Sequence, residues 1–419
     1  MPSLSPSVNP PVTIGDTVWL DYNVNGFQDE GEPGLEGITV TLVDLNGAPV
    51  EGYDAQVTDV DGHYLFENVP AGVYSVKYDV PEGYIFSPLN PLSDTIDRSD
   101  ASAGDYAADI DSSGVAAPVD LEAGSSVLTF DAGLYLPVII NGTIFVDHNS
   151  DGIRDPEETD VIEGAIVMLF NSVTYSFVGE AVTDADGSYN FSAEPGAYYV
   201  KLLLPSADYI VSPIVEGGSA FDQTTYETAP VTLNSGDNAV LDGGMYMLAS
   251  IGNRVWFDSN FNGVQDAGEG PINFLREPMW VKLYDSVGNL KGETHTSAEG
   301  FYQFTDLTPG MYEVEFQKPP HPYSFTFYKA GEDDTIDNDV KASTGRATVT
   351  LKSGEHNDDI DAGILDTDNG PYYPEWTNDV QVCTNDGFDP AWMDIQSHYF
   401  YASKELCCQN HFWWRMTQW

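Results

Sequence analysis

The chain has 419 residues and carries 67 acidic against 15 basic side chains, a formal charge of −52. A polyanion of this kind repels phosphate backbones and acidic lipid surfaces, which excludes nucleic acid and anionic membranes as partners and favours cations. The 42% hydrophobic and 12% aromatic fractions suffice for packed cores, and no apolar run reaches the roughly 18 residues of a membrane span.

The length suggests about three domains, and the 39 Gly and 26 Pro point to many turns rather than long helices. Residues 1–12, MPSLSPSVNPPV, have neither a basic nor an apolar region of the signal-peptide kind and read as an extended Pro/Ser linker.

A unit then occurs three times. Its openings are Ile14-GDTVWLDYNVNGFQDEGE, Ile140-NGTIFVDHNSDGIRDPEE and Ile251-GNRVWFDSNFNGVQDAGE. The first loop aspartates, Asp21, Asp147 and Asp258, lie roughly 110 to 130 residues apart, a domain-sized period far longer than a solenoid repeat. Each unit continues with TDVDGHYLFENVPAGVYSV from Thr58, TDADGSYNFSAEPGAYYV from Thr183 or TSAEGFYQFTDLTPGMYEV from Thr296. Tyr64 and Phe66, Tyr189 and Phe191, and Tyr302 and Phe304 alternate with outward-pointing residues, so each segment predicts a strand with one apolar face. Each unit closes on FDAGLY, LDGGMY or IDAGIL, and no helical period runs across residues 13–366. Short strands with dense turn signals predict all-β sandwiches at residues 13–136, 137–247 and 248–366, with a different module at 367–419.

The order of strand, DxNxNG loop, TDxDGxY, PxGxY and terminal DAG resembles the B-type repeat domains of serine-aspartate repeat surface adhesins, relatives of the prealbumin-like collagen-adhesin B domains. The resemblance covers residues 13–366 and implies calcium-stiffened spacers in extracellular surface proteins.

The acidic loops support calcium without that resemblance. Calcium takes six to eight oxygens, and a twelve-residue loop supplies them from positions 1, 3, 5, 7, 9 and 12 around a Gly at position 6. The first loop offers Asp21, Asn23, Asn25, the Phe27 carbonyl, Asp29 and Glu32 around Gly26. The second offers Asp147, Asn149, Asp151, the Ile153 carbonyl, Asp155 and Glu158 around Gly152. The third offers Asp258, Asn260, Asn262, the Val264 carbonyl, Asp266 and Glu269 around Gly263. A single such loop reads equally well as an Asx-rich turn; three in register favour a cation. Strands flank the loops where a calcium sensor has helices, so the expected role is structural. Second cation sites are expected at Asp94, Asp97 and Asp100, with Asp105, Asp109 and Asp111 near them, and at Asp333, Asp334, Asp337 and Asp339. Solvated loops are the alternative reading.

Related collagen-adhesin domains often carry a Lys–Asn isopeptide bond from a lysine on the opening strand. VWL, IFV and VWF lack that lysine, and Lys77 and Lys201 follow the PxGxY turn, so no such bond is expected. The seven His are scattered, and no HExxH, GxSxG, Walker or GxGxxG pattern lies in its required context. Catalysis is not expected. Asn141-Gly-Thr and Asn190-Phe-Ser are glycosylation triplets, with Asn190 facing solvent by strand alternation.

The C-terminal module holds five of the eight Trp and all three Cys. It is too small for a core of its own, so a disulfide from Cys383 to Cys407 or Cys408 is expected, consistent with an oxidising compartment. Ser403 is a candidate N-cap for a short helix through KELCCQNHF. The pattern YYPxW, CxNDG, PxWM and CCxxHFWW resembles cysteine-stabilised modules of secreted algal proteins. Trp376, Trp413 and Trp414 are candidate glycan-stacking residues, with a local aromatic core as the alternative.

These features predict a secreted, cell-surface, calcium-binding structural or adhesive protein, three sandwiches acting as a stiff stalk. The partners expected are calcium with polysaccharide, a matrix protein or like subunits. Two other readings fit the residues: a carbohydrate- or cell-wall-binding region of a larger secreted enzyme, and a subunit of an extracellular filament.

Overall fold

The computed structural model describes residues 10–88, 110–272, 278–368, 373–376 and 381–384. Asp94, Asp97, Asp100, Asp105, Asp109, Ser403, Cys407, Cys408, Trp413 and Trp414 lie outside them, as do the side chains of Trp376 and Cys383. No helix occurs among the described residues, and none is long and apolar enough to cross a membrane.

The first repeat runs β1 (Val12–Leu20), β2 (Thr39–Val43), β3 (Gln56–Val57), β4 (His63–Val69), β5 (Gly72–Asp79), β6 (Ile85–Phe86), β7 (Val119–Leu121), β8 (Ser126–Leu128) and β9 (Ala132–Tyr135). One sheet has the order β4-β1-β9-β6 with β8 also beside β1, and the other has the order β3-β2-β5-β7. Alternation supplies the layer between them: Ile14, Val18, Val40, Leu42, Tyr64, Phe66, Val76, Tyr78 and Leu134 are buried in one core.

The second repeat runs β10 (Val138–Val146), β11 (Ile166–Asn171), β12 (Phe177–Val182), β13 (Ser188–Ala193), β14 (Gly196–Leu203), β15 (Tyr209–Val211), β16 (Val231–Leu233), β17 (Asn238–Val240) and β18 (Gly243–Met247). The third runs β19 (Ala249–Phe257), β20 (Trp280–Asp285), β21 (Leu290–His295), β22 (Phe301–Leu307), β23 (Gly310–Phe316), β24 (Tyr323–Phe325), β25 (Arg346–Leu351), β26 (His356–Asn357) and β27 (Ala362–Asp366). Its sheets have the orders β22-β19-β27-β24, with β26 beside β19, and β21-β20-β23-β25. A hairpin of β28 (Tyr373–Trp376) and β29 (Gln381–Thr384) follows.

The chain divides into two compact units. Unit 1 holds residues 1–144, 161–203 and 220–242, and unit 2 holds 145–160, 204–219 and 243–419. In unit 1, β10 pairs antiparallel with β13 and parallel with β17, while β11 joins β12 and β14, and β14 joins β16. In unit 2, β15 pairs with β18.

Two motifs gain their physical reason from this packing. A Cβ on Gly133, Gly244 or Gly363, the last residue of DAG or DGG, would stand 2.9 Å from the Trp19 ring, 2.9 Å from Phe145 and 2.6 Å from Trp256 respectively. The closing glycine is therefore the slot for the large ring of VWL, IFV or VWF. The motif aspartate two residues earlier accepts a main-chain N–H of the opening strand: Thr17 to Asp131 at 2.9 Å, Thr143 to Asp242 at 2.7 Å and Arg254 to Asp361 at 3.1 Å. The inward tyrosines finish the seam, since Tyr64, Tyr189 and Tyr302 donate their hydroxyls to the carbonyls of Phe130, Leu241 and Ile360.

Candidate cation loops and the inter-repeat joints

Each acidic loop leaves its opening strand at a fully buried aspartate, Asp21, Asp147 or Asp258. The position-4 residues Val24, Ser150 and Phe261 take φ of 58°, 60° and 63°, and Gly26, Gly152 and Gly263 take 70°, 83° and 76°. A non-glycine residue in the left-handed region is uncommon, and a β-branched or aromatic one such as Val24 or Phe261 is strained there, so the same conformation at the same place three times marks one loop geometry held by its side chains.

Those side chains are Asp at position 1 and Glu at position 12. In the first loop Asp21 accepts Val24 N–H at 2.6 Å and Gly26 N–H at 2.9 Å, and in the third Asp258 accepts Phe261 N–H at 2.7 Å and Gly263 N–H at 2.9 Å. In the second, Gly152 N–H reaches Asp147 Oδ2 at 2.8 Å, while Asp147 Oδ1 is buried without a hydrogen-bond partner. Glu32, Glu158 and Glu269 each accept two main-chain N–H groups, from positions 2 and 9 of their loops, at 2.6 to 3.2 Å. Burial raises the carboxyl pKa of Glu32, Glu158 and Asp258.

The amide side chains complete the ring. Asn23 and Asn25 both donate to Asp29 at 2.7 and 2.8 Å, and Asn260 and Asn262 both donate to Asp266 at 2.7 Å. Asn149 bridges Asp151 and Asp155 at 3.1 and 3.0 Å. The partly positive amide hydrogens thus stand where the carboxylates converge. Among the described residues no group of three or more His, Cys, Asp or Glu side chains is drawn together as metal ligands; half of each proposed set consists of Asn amides and a main-chain carbonyl in the first and third loops. The oxygen donors of these sets and the orphaned Asp147 oxygen are of the kind a hard cation takes.

Of the late-loop carboxylates, the fold gathers Asp334, Asp337 and Asp339 around Lys329, whose Nζ lies 3.6 Å from Asp334 and 2.9 Å from Asp339. Asp337 is buried with one oxygen unpartnered. Asp333 instead caps its own turn through Thr335. Asp361 joins the cluster, its N–H bonded to Asp339 at 2.9 Å. Asp111, at the edge of the first-unit cluster, caps a turn through Ser113. Lys77 and Lys201 form surface ion pairs with Asp79 at 3.0 Å and Glu227 at 2.7 Å. Asn141 and Asn190 are direct cross-strand partners in β10 and β13, with Asn190 exposed and Asn141 half-buried.

The sequence reading missed where the loops lead. Only Leu136 and Pro137 separate β9 from β10, and only Leu248 separates β18 from β19. Within unit 1, Leu136 N–H donates to Ser235 Oγ at 2.8 Å and Gly236 N–H to the Leu136 carbonyl at 3.1 Å. Within unit 2, Met247 is held the same way by Ser353 Oγ at 2.8 Å and Gly354 N–H at 3.0 Å. The acidic loops contribute too: Ser235 N–H donates to the Tyr22 carbonyl at 3.1 Å, and Ser150 Oγ to the Pro309 carbonyl at 3.1 Å. The recurring NSGD and KSGE turns at residues 234–237 and 352–355 were the available signal.

A match to the family described as "SdrD B-like domain" covers residues 12–134, 139–245 and 249–364. The chain is 35% identical over 377 residues to serine-aspartate repeat-containing protein F of Staphylococcus epidermidis, covering 88% of this chain and 20% of that one. It is 32% identical over 356 residues to serine-aspartate repeat-containing protein D of Staphylococcus aureus strain Newman, covering 84% of this chain and 25% of that one. It therefore spans a quarter or less of the length of these relatives. Among solved structures, the major pilin subunit BcpA of Bacillus cereus is similar at 12% identity and a TM-score of 0.30, over 85% of this chain and 99% of that one. At that score the fold assignment rests on the strands and on the family match. The chain belongs to the SdrD B-like domain family, as three tandem all-β copies of an extracellular surface-protein module.

Proposed function

We propose that this chain is a calcium-braced spacer in an extracellular adhesive protein, its three sandwiches held in series so that a functional region elsewhere is presented away from the surface. The observation that carries the reading is the continuity from loop to joint. Glu32 accepts Tyr22 N–H at 2.7 Å, and the Tyr22 carbonyl accepts Ser235 N–H from the next repeat. Whatever fixes Glu32 therefore fixes the surface on which repeat 2 rests.

Calcium bound by Asp21, Asn23, Asn25, the Phe27 carbonyl, Asp29 and Glu32, and by the equivalent sets from Asp147 and Asp258, would offset carboxylate repulsion at each loop. The protein's own residues do the rest: the N–H groups orient the position-1 and position-12 carboxylates, and one- and two-residue linkers restrict the joints. Binding to the folded state alone stabilises it by about 2.7 kcal/mol per site when calcium is a hundredfold above Kd. Differential scanning in EDTA and in millimolar calcium tests this. A higher melting temperature in calcium supports the reading, and identical profiles contradict it.

A further inference from the structure

The outer faces of the three four-stranded sheets differ at equivalent positions. Alternating with the core residues of the second strand in each repeat are Thr39, Thr41 and the buried Val43 in β2, Ile166, Met168 and the half-buried Phe170 in β11, and Trp280, Lys282 and the half-buried Tyr284 in β20. Opposite them stand Asp79, Lys77 and Ser75 in repeat 1, and Leu203, Lys201 and Tyr199 in repeat 2. In repeat 3 Glu315 and Glu313 face Lys282 and Tyr284. Repeat 3 covers its aromatic rings with charge: Lys282 lies over Trp280 and Arg346 over Tyr284, and Arg346 pairs with Glu313 at 2.7 Å. Repeat 2 pairs Lys201 with Glu227 at 2.7 Å on this face, and beside that pair an aromatic shelf runs across three strands. Phe170 stacks on Tyr199 at 5.2 Å and 12°, and Phe177 meets Phe170 edge-on at 5.7 Å.

The shelf adjoins an edge strand of unusual composition. Edges are commonly blunted by shortness or by lysine, because a row of main-chain donors and acceptors recruits other strands. In repeat 1 the edge strand β3 has two residues, and in repeat 3 β21 carries Lys291 and His295. The edge strand β12 has six residues, with Phe177 57% exposed, Val178 45% and Val182 57%, following a turn where Tyr175 is 75% exposed. The charge around it is negative: Glu180 lies midway along β12, and Asp184 and Asp186 follow in the next turn.

We propose that β12 and its aromatic shelf dock an extended, basic segment of a partner protein, which adds as a strand to this edge. The main-chain groups of β12 supply the ladder, apolar side chains of the incoming strand lie beside Phe177 and Val182 and extend the shelf by one strand, and its basic residues meet Glu180, Asp184 and Asp186. A second copy of this chain, at −52, is repelled. A glycan would use the rings but not the ladder.

The probe is an acetylated, fluorescently labelled octapeptide alternating Lys and Val, with a Glu/Val peptide as control, titrated against the whole chain at low salt. The expected result is saturable binding of the Lys/Val peptide alone, with slowed amide exchange at residues 177–182. Val178→Lys, which places the repeat 3 residue on this edge, is expected to weaken binding at least tenfold, and Glu180→Gln to weaken it severalfold without touching the apolar surface. The proposal is overturned if the Lys/Val peptide does not bind, if the Glu/Val peptide binds equally, or if exchange at residues 177–182 is unchanged on binding. It is also overturned if the chain self-associates through this edge, lost in Val178→Lys, or if polysaccharide binds the shelf and the peptide does not.

Discussion

Ser235 donates its main-chain N–H to the carbonyl of Tyr22, the second residue of the acidic loop of the preceding repeat. The same serine accepts Leu136 N–H on its hydroxyl, so one residue grips both the end of β9 and the loop beside it. Repeat 1 has Ala123 where the other repeats have Ser235 and Ser353, and Gly124 N–H there reaches the carbonyl of Pro10, which has no N–H to give.

Ser235→Ala or Ser353→Ala should therefore each remove one hydrogen bond at a joint, about 0.5 to 1.5 kcal/mol. Faster amide exchange at Leu136 or Met247 would report it. Ala123→Ser should change nothing at Pro10, and an equal effect at all three sites would contradict the assignment.

The second loop carries Asp147, Asp151, Asp155 and Glu158, whereas the others hold Asn25 or Asn262 at the position of Asp151. Charge count tunes calcium affinity, so repeat 2 should bind most tightly. Asp151→Asn is expected to weaken that site by about tenfold in a calorimetric titration and leave the other two unchanged.

Tyr189 donates to the Leu241 carbonyl at 2.6 Å inside the core of repeat 2. Tyr189→Phe leaves a buried carbonyl short of a partner and should destabilise this repeat by about 1 to 3 kcal/mol, read as a lower denaturation midpoint. No loss would mean that the hydroxyl is dispensable to the seam.

Burial, with Asp339 and Asp337 nearby, pushes Asp361 up to about 8, and burial with the neighbouring Asp339 pushes Asp337 up to about 7. The folded chain then holds protons that the unfolded chain has released above its ordinary carboxylate pKa. Stability from these groups is fully present below about pH 4 and falls as pH rises towards 7 for Asp337 and 8 for Asp361. In chelator, the melting temperature of repeat 3 should decline across that interval, and Asp361→Asn should flatten the decline. An unchanged slope in the variant would contradict the cause given.

The all-β architecture was legible because Tyr64/Phe66, Tyr189/Phe191 and Tyr302/Phe304 alternate with solvent-facing neighbours, a local signal that long-range packing then obeys. The loop positions were legible because their hydrogen bonds are also local, spanning two to ten residues. The joints were not: Ser235 and Leu136 lie 99 residues apart and Ser353 and Met247 106 apart, and a serine beside a glycine reads simply as a turn. Lys329 was equally hidden, since its role depends on which carboxylates the fold gathers around it. Asp361 belonged to a closing-strand motif and gave no sign of joining Asp337 and Asp339.

The most direct test of a braced joint is amide exchange at Ser235 in the whole chain, compared between chelator and saturating calcium. The account predicts that calcium slows it, because ordering Glu32 and Tyr22 orders the carbonyl that receives this N–H. Calcium binding with no change at Ser235 would separate the loop from the joint and contradict it.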